Sequence, residues 1–119
     1  MARKTIAFPQ AITTHYINAL KARMNVEGVL LFGSFAWGKP TKHSDIDLVV
    51  ISPSFRQKTF TDRLQWLSHM RDERTYQVAM DVVGYTPKEF AEIDQHSAIM
   101  AKAKRDGKWL YRKRSLGTR

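Results

Sequence analysis

Apolar residues recur along the chain in two periods, and the switching between them outlines an α-β-β-α-β-α order. After Pro9, from Gln10 to Met24, Ile12, Tyr16, Leu20 and Met24 fall at helical spacing, with Lys21 and Arg23 near the C-terminal end, where cations suit the helix dipole. Val29 to Phe32 is too short and too continuously apolar for a helix and reads as a buried strand. From Asp45 to Ile51 the period is two, and Ser52-Pro53-Ser54 closes this second strand. Phe60, Leu64, Leu67 and Met70-Arg71, with Trp66 alongside, restore the helical period from Thr59 to about Arg74. A third strand is expected over Gln77 to Tyr85, where Val78, Met80, Val82 and Gly84 alternate with Ala79, Asp81 and Val83. Thr86-Pro87-Lys88-Glu89 is an N-cap, a proline at the first helical position and an acid at N3, opening a helix through Phe90 and Ile93 toward Lys104, with His96 marking a place where it can break. Arg105-Asp106-Gly107 ends it, and Lys108 to Tyr111 can add a short edge strand.

The chemistry concentrates between the first two strands. The apolar run stops at Gly33-Ser34, where a turn can offer backbone N–H groups and a hydroxyl to a phosphate, and Ser34 to Gly38 can form a short helix whose N-terminus adds partial positive charge. Asp45 and Asp47 alternate with Ile46 and Leu48, so both carboxylates share one face of the strand. Such a pair repels unless a proton or a cation sits between them, and hard oxygen ligands beside a phosphate cradle suit Mg²⁺ bound with a nucleotide. Asp is disfavoured within strands, yet Asp47 and Asp81 are both flanked by strand formers, and Asp81 lies on the face opposite Met80 and Val82. Lys39 and Lys42, in the loop before these acids, can meet a triphosphate or simply solubilise the loop.

Gly33-Ser34, Gly38 four residues after the Ser, a short spacer and then Ser44-Asp45-Ile46-Asp47-Leu48 resemble the nucleotidyltransferase signature of the DNA polymerase beta superfamily, and in particular its smallest branch, the MNT-type (minimal nucleotidyltransferase) domains. The third acid of that pattern is supplied in order by Asp81, and Tyr85 to Phe90 and Gly107 to Tyr111 also resemble segments of these domains. Trp37 departs from the pattern, since many relatives carry an Arg in this loop. The resemblance implies an α+β fold, a single palm-like domain with a mixed sheet, helices packed on one face and the acids on the other. It implies Asp45, Asp47 and Asp81 as catalytic and metal-holding residues, and Gly33, Ser34, Lys39, Lys42 and Ser44 as nucleotide-binding ones. Two Mg²⁺ ions would serve as cofactors and ATP as donor, with AMP passing to a hydroxyl and pyrophosphate leaving. Domains of this size resemble antitoxins that pair with a helical HEPN ribonuclease, so a HEPN-type partner or a homo-oligomer is expected. The alternatives are transfer to RNA or to a small hydroxyl compound, or a binding module that neutralises its partner by contact alone.

Composition narrows this only a little. A chain of 119 residues makes one domain, read as residues 1–111, followed by a basic tail over residues 112–119. The formal charge of +9 favours polyanionic partners, nucleotides, RNA or an acidic protein surface, without choosing among them. The lack of cysteine fits a reducing compartment, the cytoplasm by default, and no apolar run approaches the ~20 residues of a membrane span. His15 and His69 read as surface imidazoles, with no acid spaced to orient His15.

Overall fold

The computed structural model of the protein describes residues 6–114; residues 1–5 and the end of the basic tail, residues 115–119, lie outside the described residues. Its elements run α1 (Gln10–Arg23), β1 (Gly28–Phe32), α2 (Ser34–Trp37), β2 (Ile46–Ile51), α3 (Phe60–His69), β3 (Met80–Tyr85), α4 (Pro87–Glu92), α5 (Ala98–Asp106) and β4 (Lys108–Arg112). The four strands form one sheet in the order β3-β2-β1-β4. β1 is antiparallel to β2 and to β4, whereas β2 and β3 are parallel, so the sheet is mixed as expected. The edge strand expected from Lys108 runs through Arg112, which pairs with Gly28, one residue into the stretch read as tail.

α1 and α3 cover one face. Tyr16, Leu20 and Leu67 meet Val29, Leu31, Ile46, Leu48 and Val50, and the Tyr16 hydroxyl donates to the Leu67 carbonyl at 2.8 Å. On the other face, the acid-bearing one, Phe90, Met100 and Ala103 from α4 and α5 meet Leu30, Val49 and Ile51. Helices therefore form more than the single layer expected. The added layer is centred on the end of that face remote from the acids, because the apolar positions Val49 and Ile51 follow Asp47 along the same side of β2, and its margin reaches Phe32 beside Asp47.

Two helices end earlier than their apolar periods predict. α3 stops at His69 rather than near Arg74 because Asp72 and Thr75 exchange local bonds. The Thr75 amide donates to Asp72 Oδ1 at 3.0 Å and the Asp72 amide to Thr75 Oγ1 at 2.9 Å, a turn that competes with the helix. The same turn delays β3 to Met80. The helix opened at Thr86 breaks after Glu92 into a 3₁₀ turn over Ile93–Gln95, and Ser97 caps a second helix by accepting the Met100 amide at 3.2 Å. Lys104 ties the two together, donating to the carbonyls of Phe90 and Ala91 and to Asp94.

Candidate active site

The chemistry-bearing residues gather where β1 ends and β2 and β3 begin. Phe32, the last residue of β1, pairs with Asp47, and Asp47 pairs on its other side with Asp81. One rung of the sheet thus carries two acids on neighbouring parallel strands, at a strand spacing of about 4.8 Å. Asp45 lies just ahead of β2 and is exposed.

Gly33 is held with φ +75° and ψ −159°, a backbone region essentially restricted to glycine. A Cβ here would stand 2.0 Å from Asp47 Oδ2, so the Asp47 carboxylate occupies the space that glycine leaves. The Gly33 carbonyl accepts the amides of Ala36 and Trp37, starting the short helix expected after Gly33. The amides of Ser34 and Phe35, ahead of the first helical bonds, have no acceptor among the described residues and stand beside Asp47 as donors for an anion.

Asp47 is half-buried, and its carboxyl is pushed up to about 6, first by burial and then by the charges of Asp81 and Asp45. All three acids are therefore close enough to interact. They do not close around an ion by themselves: among the described residues no three acidic or imidazole side chains form a ready cation cage. Uncompensated like charges keep apart, and Mg²⁺ commonly takes only one or two carboxylates and completes its shell with water and substrate phosphates. The oxygen-only donor set, crowded enough to raise Asp47, fits a divalent cation that arrives with a nucleotide.

The loop residues are less tightly placed. Lys39 and Lys42 are exposed in the connection between α2 and β2. Ser44 builds that connection, its Oγ accepting the Thr41 amide at 2.9 Å and its own amide donating to the Thr41 carbonyl at 2.9 Å. Trp37 packs at the margin of the core with the Lys102 ammonium 4.7 Å from its ring centroid, so α5 reaches the cradle through this residue.

Three features escape a reading of the sequence. His15 does have an acid partner: its Nε2 lies 2.6 Å from Asp72 Oδ2, 57 residues away, and the hydrogen bond from His15 is the main cause that holds the Asp72 carboxyl below its ordinary value. Arg63 is buried in α3 and donates to Lys58 and Gly84 carbonyls and to both Glu89 oxygens, the Glu89 carboxyl being held low chiefly by that pair. Arg71, which the sequence places beside Met70 at the end of the helical stripe, donates to the carbonyls of Thr75 at 2.7 Å and Val78 at 2.6 Å. None carries a local signal, because each partner lies on another element or on the turn that ends α3.

A small mixed sheet with a glycine cradle at the end of one strand and acids on the next two defines a nucleotidyltransferase palm. The family profile described as polymerase beta, nucleotidyltransferase, matches residues 15–115, and the chain belongs to this family. It is 30% identical over 67 residues, 56% of this chain and 67% of the relative, to a protein of Methanocaldococcus jannaschii provisionally named a protein adenylyltransferase. Among solved structures, a chain from Sulfolobus solfataricus provisionally described as a nucleotidyltransferase superposes with a TM-score of 0.63 at 18% identity, covering 89% of this chain and 81% of that one. A chain of a toxin–antitoxin crystallised with AMP-PNP superposes with a TM-score of 0.57, also at 18% identity, covering 91% of this chain and 77% of that one. At such identity the two structures speak for the fold, which is the α+β nucleotidyltransferase fold. The family profile and the named relative speak for the enzyme class: the chain is a nucleotidyltransferase.

Proposed function

We propose that the chain moves AMP from ATP to a hydroxyl of a partner protein, and that its partner is a helical HEPN-type toxin which it silences as an antitoxin. The observation that carries the chemistry is Asp47, set against Gly33 and raised to about 6 first by burial and then by the charges of Asp81 and Asp45. A carboxylate kept under that electrostatic load is poised to take a cation in place of a proton. The protein acceptor is supported by the name of the M. jannaschii relative, and the toxin partner and adenine nucleotide by the toxin–antitoxin crystallised with AMP-PNP.

In this reading the amides of Ser34 and Phe35 and the Ser34 hydroxyl hold the triphosphate, with Lys39, Lys42 and Ser44 closing over it from the loop. Asp45 and Asp47 would hold Mg²⁺, shared with Asp81. When bound, the metal neutralises phosphate charge and makes the attacking hydroxyl more acidic. The acceptor oxygen forms a bond to the α-phosphorus as the bond to the β-phosphate oxygen breaks. The hydroxyl proton passes to Asp81, and pyrophosphate leaves with the displaced charge.

Intact-mass analysis of the chain with its co-purified partner, after incubation with Mg²⁺ and each nucleoside triphosphate in turn, tests this. The partner should gain the mass of one or more AMP groups with ATP alone. AMP appearing on RNA or on a small hydroxyl compound, with none on protein, overturns the acceptor. Silencing of the partner at full strength without any transfer overturns the catalytic route to inhibition.

A further inference from the structure

β3 is an edge of the sheet, and its outer rim is closed at both ends and open in the middle. The Ile46 amide donates to the Ala79 carbonyl at 2.9 Å and the Ser52 amide to the Tyr85 carbonyl at 3.0 Å. Residues 79, 81, 83 and 85 therefore turn their backbone groups to β2, and Val78, Met80, Val82 and Gly84 turn theirs outward. Two of these outward groups are already taken. Arg71 Nη2 donates to the Val78 carbonyl at 2.6 Å, and Arg63 Nη1 donates to the Gly84 carbonyl at 3.2 Å. Between them, the N–H and C=O groups of Met80 and Val82 have no partner among the described residues. Exposed strand edges are ordinarily blunted by proline, lysine or a bulge, and from Val78 to Gly84 there is none of these. The opening lies on either side of Asp81, the outermost of the three acids.

Beneath the opening, on the α3 side, is a cavity of about 180 Å³ whose lining includes Leu64, Leu67, Ser68, Arg71, Met80, Asp81 and Val82. Leu64, Leu67, Met80 and Val82 give it apolar walls, while Ser68, Arg71 and Asp81 make most of its exposed lining polar; the Arg71 Nε–H is buried with no acceptor among the described residues.

We infer that the acceptor reaches the site as an extended polypeptide segment that pairs with Met80 and Val82 as a fifth strand, with its hydroxyl-bearing side chain on the acid face beside Asp81. This rests on the reading of a protein as acceptor. Strand addition matches the two N–H and two C=O groups offered at a two-residue period, which neither an RNA nor a small hydroxyl compound can supply. Period-two geometry then sends the residues flanking the hydroxyl to the opposite face, into the cavity. A side chain with a polar tip fits there, within reach of the Ser68 hydroxyl. The Arg71 guanidinium at one end of the opening favours an acidic residue there, Arg63 at the other end being already paired with Glu89. The phosphate cradle lies on the β1 side of Asp47 and the opening on the β3 side, so donor and acceptor enter from opposite sides of the acid row. The transfer itself is unchanged: the acceptor oxygen gains AMP, ATP loses pyrophosphate and the proton goes to Asp81.

The test uses a library of ten-residue peptides, each with one central tyrosine, incubated with the full chain, Mg²⁺ and ATP labelled at the α-phosphate. The best acceptors are then N-methylated one residue at a time. Methylation at alternate residues should lower labelling about tenfold, as loss of a ladder hydrogen bond does, and methylation at the residues between should leave it within about twofold. With AMP-PNP and the same peptide carrying Phe for Tyr, the Met80 and Val82 amides should slow in hydrogen exchange while those of β1 stay unchanged. Val82→Pro removes one outward N–H without touching the ladder to β2, and should raise KM for the peptide about tenfold with kcat held. The peptide-side series and the exchange readout decide the matter even should that variant fold poorly. A methylation scan without a two-residue period, or labelling confined to folded helical acceptors, overturns strand addition while leaving protein adenylylation standing. Exchange protection of Met80 and Val82 that follows chain concentration instead of peptide also overturns it, the edge then being taken by a second copy. Label on RNA with none on any polypeptide overturns the function proposed above and this inference with it.

Discussion

At its start β2 carries Asp47 against Gly33 and beside Asp81, and at its end Val49, Val50 and Ile51 have no measurable exposure and Ser52 is buried. The two ends are satisfied in opposite ways. At the far end polar groups pair within the fold: Ser52 Oγ donates to the Asn25 carbonyl at 2.7 Å, the Ser52 amide reaches Tyr85, and Arg63 joins Lys58, Gly84 and Glu89. Phe55 fills the space left by Gly84, where a Cβ would lie 2.6 Å from the ring, and stacks edge-on against Trp66. At the near end the chain holds a positive φ, two amides without acceptors among the described residues, and an Asp47 carboxylate that is half-buried beside the charges of Asp81 and Asp45. One end supplies stability, and the other holds interactions that a nucleotide and a cation complete.

The sharpest way to break that division is at Phe55. Phe55→Ala empties a fully buried aromatic site and should lower the free energy of unfolding by about 3–5 kcal/mol. Transfer per folded molecule should be unchanged, since Gly84 lies at the opposite end of β3 from Asp81. Chemical denaturation paired with active-site titration checks both halves. A variant that loses turnover in proportion to nothing but its folded fraction keeps the ends separate.

Asp47→Asn should do the reverse. Substituting even an outer-shell partner of a metal ligand commonly loses 10–100-fold, so loss of a ligand should lower transfer by more than about 100-fold. The metal-free protein should melt no lower than the parent, because Asn removes the repulsion with Asp81 and Asp45. The pH dependence carries a sign that can be checked. The Asp47 carboxyl titrates at 3.8 when unperturbed and at about 6 in the fold. Below the lower value it is protonated in both states. Between the two, the unfolded chain ionises first, so the metal-free fold loses stability as pH rises through this window, and above about 6 the loss is complete. Asp47→Asn should flatten that slope, and Mg²⁺ with AMP-PNP should offset it in the parent. Melting temperatures from pH 4 to pH 7.5 read all three.

How much of this was legible in the sequence follows the range of each interaction. The Thr86-to-Glu89 start of α4 was legible because the capping box closes within three residues, the Thr86 hydroxyl accepting the Glu89 amide and Glu89 accepting the Thr86 amide. Asp47 and Asp81 stood out because acids rarely sit between strand formers, and the strand period put them on the correct face. The end of α3 was not legible. Its apolar period continues past His69, and only the Asp72–Thr75 exchange of hydrogen bonds decides against it. The His15–Asp72 contact depends on how α1 packs against the turn after α3, and the two arginines on the β3 rim depend on which strand ends at an edge. Those are properties of packing and strand order, to which a period along the chain is blind.

Gly33→Val sharpens the comparison next, since it perturbs only the near end. A side chain there must both adopt φ +75° and displace Asp47 Oδ2, and strain of this kind is of order 1–3 kcal/mol. AMP-PNP affinity should fall by about the same free energy or more, because turning the loop to relieve the clash moves the Ser34 and Phe35 amides together. Calorimetry with and without Mg²⁺ is the measurement. Unchanged affinity would make Gly33 a plain turn and leave Asp47 to be held by something else.

Ser34→Ala probes the same loop with the smallest expected effect. The φ of Gly33, the bonds from Ala36 and Trp37 to its carbonyl and the Ser34 amide all survive the change, and only a hydroxyl is deleted. A single neutral hydrogen bond contributes about 1 kcal/mol net, so AMP-PNP binding should weaken by about fivefold and the melting temperature should barely move. The contrast with Gly33→Val is the informative quantity. If backbone amides and the space beside Asp47 make the cradle, valine at 33 is the more damaging of the two by a clear margin. Should Ser34→Ala prove equal or worse, the hydroxyl is the principal donor to the triphosphate, and the two amides at the start of α2 are ordinary helix-end groups open to water.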